Sequence, residues 1–109
     1  MNLGQHQEAF TEDLVQLLTY ALAQGYKVRM GELYRTEEQQ AIYVKSGRSK
    51  TMNSMHLKKC AADLHFVKDG KICYPKELGD FWVSLNPKLN QWGGNWKSFK
   101  DDPHFQRTV

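Results

Sequence analysis

Residues 53–66 read NSMHLKKCAADLHF. Positions 61–66 of that stretch, Ala-Ala-Asp-Leu-His-Phe, have the character of a strand. In a strand, Asp63 and His65 share one face. An acid inside an otherwise apolar run has two readings. Asp63 is a solvated surface group, or its charge is required by something buried. The next residues, VKDGK (67–71), carry the Asp-Gly pair of a tight hairpin, so a return strand is expected at 72–74.

Outward from this hairpin, the pattern changes to helices. Phe10, Leu14, Leu17, Leu18, Ala21 and Leu22 recur at helical spacing and Gly25 follows, which predicts a helix over 5–24. Tyr26, Val28 and Met30 alternate and predict a short strand. Thr36 with Gln39 three residues on has the form of a capping box, and Gly47 closes the helix it opens. Residues 48–55 are polar and read as a loop. Leu78, Phe81, Trp82 and Leu85 predict a helix from Lys76 to about Leu85, ended by Asn86-Pro87. The glycine-rich, aromatic tail gives a last short strand near 104–106. Helices and antiparallel strands segregate along the chain, which is the pattern of an α+β fold.

The length of 109 residues suits one domain, 1–109, with one modest core. The net charge of +3 is mild, and its lysines and arginines are scattered among acids, which argues against a nucleic-acid binder. No basic start followed by an apolar segment marks a signal peptide, and no apolar run is long enough to span a membrane. The expectation is a protein held in the cytosol until something else releases it. Cys60 and Cys73 do not make a disulfide framework and are expected as thiols.

Three residues have the types that bind a catalytic metal. His56, Asp63 and His104 supply two imidazoles and a carboxylate, a set that suits zinc and leaves one position open. Asp101 lies three residues before His104. An acid near the metal but not bound to it can take a proton from water and pass it to a leaving amine. Arg35 can stabilise an oxyanion or grip a carboxylate. Plainer readings stand beside these. Asp101 and Asp102 before Pro103 can initiate a turn, and Arg35 can pair with Glu32 or Glu38. His65 can replace a ligand or line the site, and Cys60 permits a thiolate. His6 reads as solvated. Trp92 and Trp96, beside Gly93 and Gly94, can be core or the floor of a ligand site.

The order of these motifs resembles a known family. Ser54-Met55-His56 with Ala61 and Asp63 resembles the Ser-x-His…Ala-x-Asp signature of zinc peptidases of the D-alanyl-D-alanine carboxypeptidase and L-alanyl-D-glutamate endopeptidase family. DDPHF (101–105) resembles its second signature, and YRTEEQQ (34–40), Tyr43 and SGRS (46–49) its upstream block. WGGNW (92–96) resembles the segment before the final acid in phage lysis enzymes of this group. The resemblance implies a Hedgehog/DD-peptidase-like fold, a small antiparallel sheet with flanking helices. It implies zinc on His56, Asp63 and His104, Asp101 as general base and then acid, and Arg35 on the tetrahedral intermediate or the substrate. Ser54 and Gln39 would touch substrate. The implied substrate is the peptide stem of bacterial peptidoglycan. An endolysin-type L-alanyl-D-glutamate endopeptidase, monomeric and released at lysis, is favoured over a D-alanyl-D-alanine carboxypeptidase. A zinc domain without catalysis would need neither Asp101 nor Arg35. Lysines 58, 59, 97 and 100 are expected to flank the site. One departure stands out: many relatives have glycine where this chain has Lys59, which suggests a different local turn.

Overall fold

The computed structural model describes residues 1–109. The chain runs α1 (Leu3–Ala23), β1 (Lys27–Met30), α2 (Glu37–Lys45), a 3-10 turn (Met55–Lys58), β2 (Ala61–Lys68), β3 (Lys71–Cys73), α3 (Lys76–Leu85), β4 (Asn90–Trp92), a second 3-10 turn (Gly93–Asn95) and β5 (His104–Arg107). This is an α+β fold on an open antiparallel sheet. β2 is its centre. It pairs with β1 through Met30 and Leu64, with β3 through Phe66 and Cys73, and with β5 through Asp63 and His104. β4 adds to the far side of β5, giving the order β1-β2-β5-β4 with β3 also on β2.

Alternation along β2 divides the molecule. Ala62, Leu64 and Phe66 face the helices and join Phe10, Leu17 and Ala21 of α1, Leu78 and Trp82 of α3, and Phe105 of β5 in the main core. Phe105 is packed edge-on by Phe66 at 5.9 Å and by Trp82 at 6.1 Å. Each such side chain, fully buried, contributes about 1.5–3 kcal/mol of transfer free energy. Helix α3 lies close against Trp92 because position 79 is glycine. A Cβ on Gly79 would stand 2.1 Å from the Trp92 ring.

Local signals explain most boundaries. Helix α1 starts at Leu3, before the expected 5, because Asn2 and Gln5 form a reciprocal capping box. At α2 only half of the expected box exists: Thr36 Oγ1 accepts the Gln39 N–H at 3.1 Å, with no return bond. Strand β2 continues to Lys68, beyond the expected 66, and the turn narrows to Asp69 and Gly70, both at positive φ. Strand β4 was not expected; three residues are too few to show a period. His6 is half-buried rather than solvated, because its Nδ1 accepts a hydrogen bond from Arg107 Nε at 3.1 Å.

Candidate active site

The residues of β2 that turn away from the helices face a cleft of about 650 Å³. Asp63 and His104 meet because they are register partners in the β2–β5 ladder. His56 is delivered by the 3-10 turn. Ser54 caps that turn, its Oγ accepting the His56 N–H at 3.2 Å. The turn closes at Lys59 with φ +58°, in the left-handed region. Lysine therefore occupies the conformation that glycine adopts most readily. The cost of holding a non-glycine residue there is about 1 kcal/mol.

Hydrogen bonding fixes which imidazole nitrogens carry protons. His56 Nδ1 lies 2.9 Å from the Leu33 carbonyl oxygen, which only accepts, so Nδ1 holds the proton and Nε2 a lone pair. His104 Nε2 lies 2.7 Å from Gln106 Oε1. The Gln106 amide nitrogen donates to Thr108 Oγ1, which leaves Oε1 as the acceptor and a lone pair on His104 Nδ1. Asp63 Oδ1 stands 3.4 Å from His56 Nε2 and 3.5 Å from His104 Nδ1. His56 Nε2 and Asp63 Oδ1 are buried without a hydrogen-bond partner. With both imidazoles neutral, three electron pairs converge here, all within 4.8 Å of one another. Such an arrangement is costly unless a cation joins it. Tetrahedral zinc at about 2.0–2.1 Å from each ligand separates them by about 3.3 Å, close to the two short distances here. The donor set fits the metal. Burial raises the Asp63 carboxyl, but hydrogen bonds from His104 and His56, which proton-bearing imidazoles would donate where a cation is absent, outweigh that and hold it well below the usual carboxylate range.

Other groups stand around this triangle. The Asp101 carboxylate, half-exposed, lies 3.8 Å from His104 Nδ1. Burial pushes its carboxyl above the usual range; His104 opposes the shift and Asp63 adds to it. Its backbone also makes the turn suggested by DDP: the N–H donates to Gly93 O, and the carbonyl accepts from the His104 N–H. A Cβ on Gly93 would strike the Asp101 carbonyl at 2.2 Å, so glycine there permits the approach. Arg35 lines the cleft and also pairs with Glu32 at 2.7 Å, as the plainer reading expected. Its Nη1 donates to Gln40 Oε1 at 2.8 Å, and its guanidinium lies over the Tyr43 ring. Three of five guanidinium N–H groups are engaged, which leaves two for a ligand. Ser54 and His65 line the same cleft. His65 Nδ1 bonds the Tyr74 hydroxyl at 2.7 Å, and His65 is not among the three converging ligands.

Residues 47–107 match the D-alanyl-D-alanine carboxypeptidase family of peptidases. The chain belongs to this family. It is also 38% identical over 95 residues to the L-alanyl-D-glutamate peptidase of Listeria phage A118, a match covering 84% of this chain and 34% of that protein. The chain therefore spans about a third of the length of that curated relative. The crystal structure of the Serratia marcescens L-Ala D-Glu endopeptidase ChiX aligns with a TM-score of 0.65 at 26% identity, over 96% of this chain and 85% of that one.

Several features of this family member were not foreseen, or differ from expectation. Gln39 does not line the cleft; its backbone N–H donates to the Thr36 cap of α2. The glutamine that supports the site is Gln40, fully buried behind Arg35, which it ties to Ser49 Oγ and to the Thr51 carbonyl. The sequence signal was present, since Gln40 is five residues after Arg35, but only the fold shows which of two adjacent glutamines faces inward. Gln106, which orients His104, carries no motif at all. Of the four lysines expected at the site, only Lys100 lines the cleft. Lys58 instead donates to the Val109 carbonyl, and Lys59 lies over the Tyr34 ring. Arg48 and Lys50 supply the positive charge in their place. Cys60 is buried beside Met55 and Ala61, and burial raises its thiol, so it is no thiolate ligand. The two tryptophans divide the roles considered for them. Trp92 is core, and Trp96 is a half-buried wall of the cleft, 5.1 Å from the His104 ring.

Proposed function

We propose that this chain is a zinc-dependent peptidase that cuts the peptide stem of bacterial peptidoglycan at the L-alanyl–D-glutamate bond. The observation that carries the reading is the convergence of two imidazole nitrogens and a carboxylate oxygen within 4.8 Å, with the Asp101 carboxylate 3.8 Å from one of them. The bond is suggested by the names of the phage and Serratia proteins. His56, Asp63 and His104 would hold the ion, which supplies Lewis acidity for the scissile carbonyl and acidifies water.

The remaining work falls to the chain's own residues. Asp101 accepts the proton of the attacking water and returns it to the departing amine. Arg35, held by Glu32 and Gln40, offers its two remaining N–H groups to the developing oxyanion or to a substrate carboxylate. Gln106 and the Leu33 carbonyl keep the two imidazoles in the tautomers that bind metal. Arg48, Lys50 and Lys100 attract a peptide rich in carboxylates. No helix is long and apolar enough to cross a membrane. In this reading residues 1–109 are one monomeric catalytic domain that reaches the wall from the cytoplasm at lysis.

The test is digestion of purified peptidoglycan with and without a chelator. New amino-terminal glutamate, abolished by the chelator, is the expected product. Release of free D-alanine would instead identify a carboxypeptidase, and no product at all would sink both.

A further inference from the structure

Behind Trp96 lies a second, shallower hollow of about 300 Å³. Trp96 is a wall of both this hollow and the metal cleft. The chemistry of the two differs sharply. Acids and bases line the cleft, whereas no charged side chain lines the hollow. Three amide side chains do, Asn90, Gln91 and Asn95, together with two indoles and Pro87.

Several polar groups here lack protein partners. Asn90 is 2% exposed, and its Nδ2 donates to Asp13 Oδ2 and to the Trp82 carbonyl, which fixes the orientation of the amide. Its Oδ1 is consequently a buried acceptor with no partner. Trp82 and Trp92 donate their indole N–H groups to backbone carbonyls, whereas that of Trp96 has no protein acceptor. The Asn95 amide is exposed and makes no protein hydrogen bond. The WGGNW segment creates this arrangement. A Cβ on Gly94 would stand 2.2 Å from the Trp92 ring, so glycine lets the turn lie flat on that ring and carries Asn95 and Trp96 to the surface.

We propose that this hollow binds the N-acetylated amino sugar to which the stem peptide is attached. The inference rests on the peptidoglycan reading above. An anionic ligand would find no cation here, and a purely apolar one would leave the amides unpaired. A sugar ring with hydroxyl and acetamido groups matches both the amides and the apolar indole face. Substrate connectivity gives the distance. Between an L-alanyl–D-glutamate bond and the sugar lie one alanine and one lactyl unit, about 7 Å of extended chain. Trp96, 5.1 Å from the His104 ring and a wall of the hollow, lies within that reach. Cleavage at a terminal D-alanine would leave the sugar several residues farther away.

The experiment compares kcat/KM for a free stem peptide with that for the same peptide on N-acetylmuramic acid. The chain should prefer the sugar-bearing substrate by about tenfold, roughly the effect of one or two added hydrogen bonds. Asn95→Ala should remove most of that preference while leaving the free peptide's rate unchanged. Equal rates on both substrates, or a preference untouched by Asn95→Ala, overturn the proposal. Tryptophan fluorescence tests binding apart from cleavage, with the N-acetylglucosamine–N-acetylmuramic acid disaccharide as probe. A saturable change, lost in Asn95→Ala, is expected; none at all overturns the subsite. Saturable binding with cleavage of neither substrate would overturn the peptidase reading and leave the subsite standing.

Discussion

The two faces of β2 are built from the same backbone and share almost nothing else. On the helix side, Ala62, Leu64 and Phe66 are buried against carbon. On the cleft side, Asp63 and His65 point to polar groups, and Asp63 ends at an unpaired oxygen. β5 repeats the division, with Phe105 in the core and His104 and Gln106 at the cleft. One face lowers the free energy of the fold; the other keeps acceptors in an arrangement that costs free energy without a cation. A strand's period of two lets both occupy one ladder, and the register that packs Phe105 also brings His104 to Asp63.

Substitutions on each face should therefore separate chemistry from stability. Asp101→Ala is expected to have the largest effect, a loss of about 100- to 10,000-fold in kcat, with zinc content and thermal midpoint unchanged. Full-rate cleavage by that variant would remove Asp101 from its role as base. Phe66→Ala should cost about 3–5 kcal/mol of unfolding free energy in a denaturant titration. At temperatures where it stays folded, it should still bind one zinc; loss of the metal from the folded variant would mean that the two faces are not separable. Gln106→Leu leaves the His104 ring unoriented and should weaken zinc affinity by about 10- to 100-fold in a competition titration, with secondary structure intact. An unchanged affinity would show that strand pairing alone orients the ring. Lys59→Gly is expected to have the smallest effect. Relief of the left-handed backbone, worth about 1 kcal/mol, is partly offset by the freer unfolded chain, so stability should rise by less than that. A fall in melting temperature would show that Lys59 packing on Tyr34 matters more than its φ.

The same division decides what could be read from the sequence. Helix α3 is legible to the residue, because four large apolar side chains repeat on one side and a proline follows. The hairpin is legible from Asp69-Gly70. The ligand types at 56, 63 and 104 stand out as chemistry, and motif order supplies the family, but their meeting depends on the β2–β5 register and on the turn that carries His56. Support residues are harder to see. Gln40 and Gln106 are ordinary polar residues until tertiary structure gives each a partner, and Gln39 has an equal claim on composition alone. Lys59 hides a glycine-like conformation behind a residue that gives no sign of it. The basic rim fails for a similar reason, because lysines 58 and 59 reach for the chain terminus and a tyrosine ring rather than for the cleft.

Calorimetric titration of zinc into the metal-free chain tests the central claim most directly. The three converging lone pairs predict one tight equivalent, abolished in Asp63→Ala while the circular dichroism spectrum is unchanged. The absence of saturable binding, or a stoichiometry and affinity indifferent to Asp63→Ala, would contradict the account.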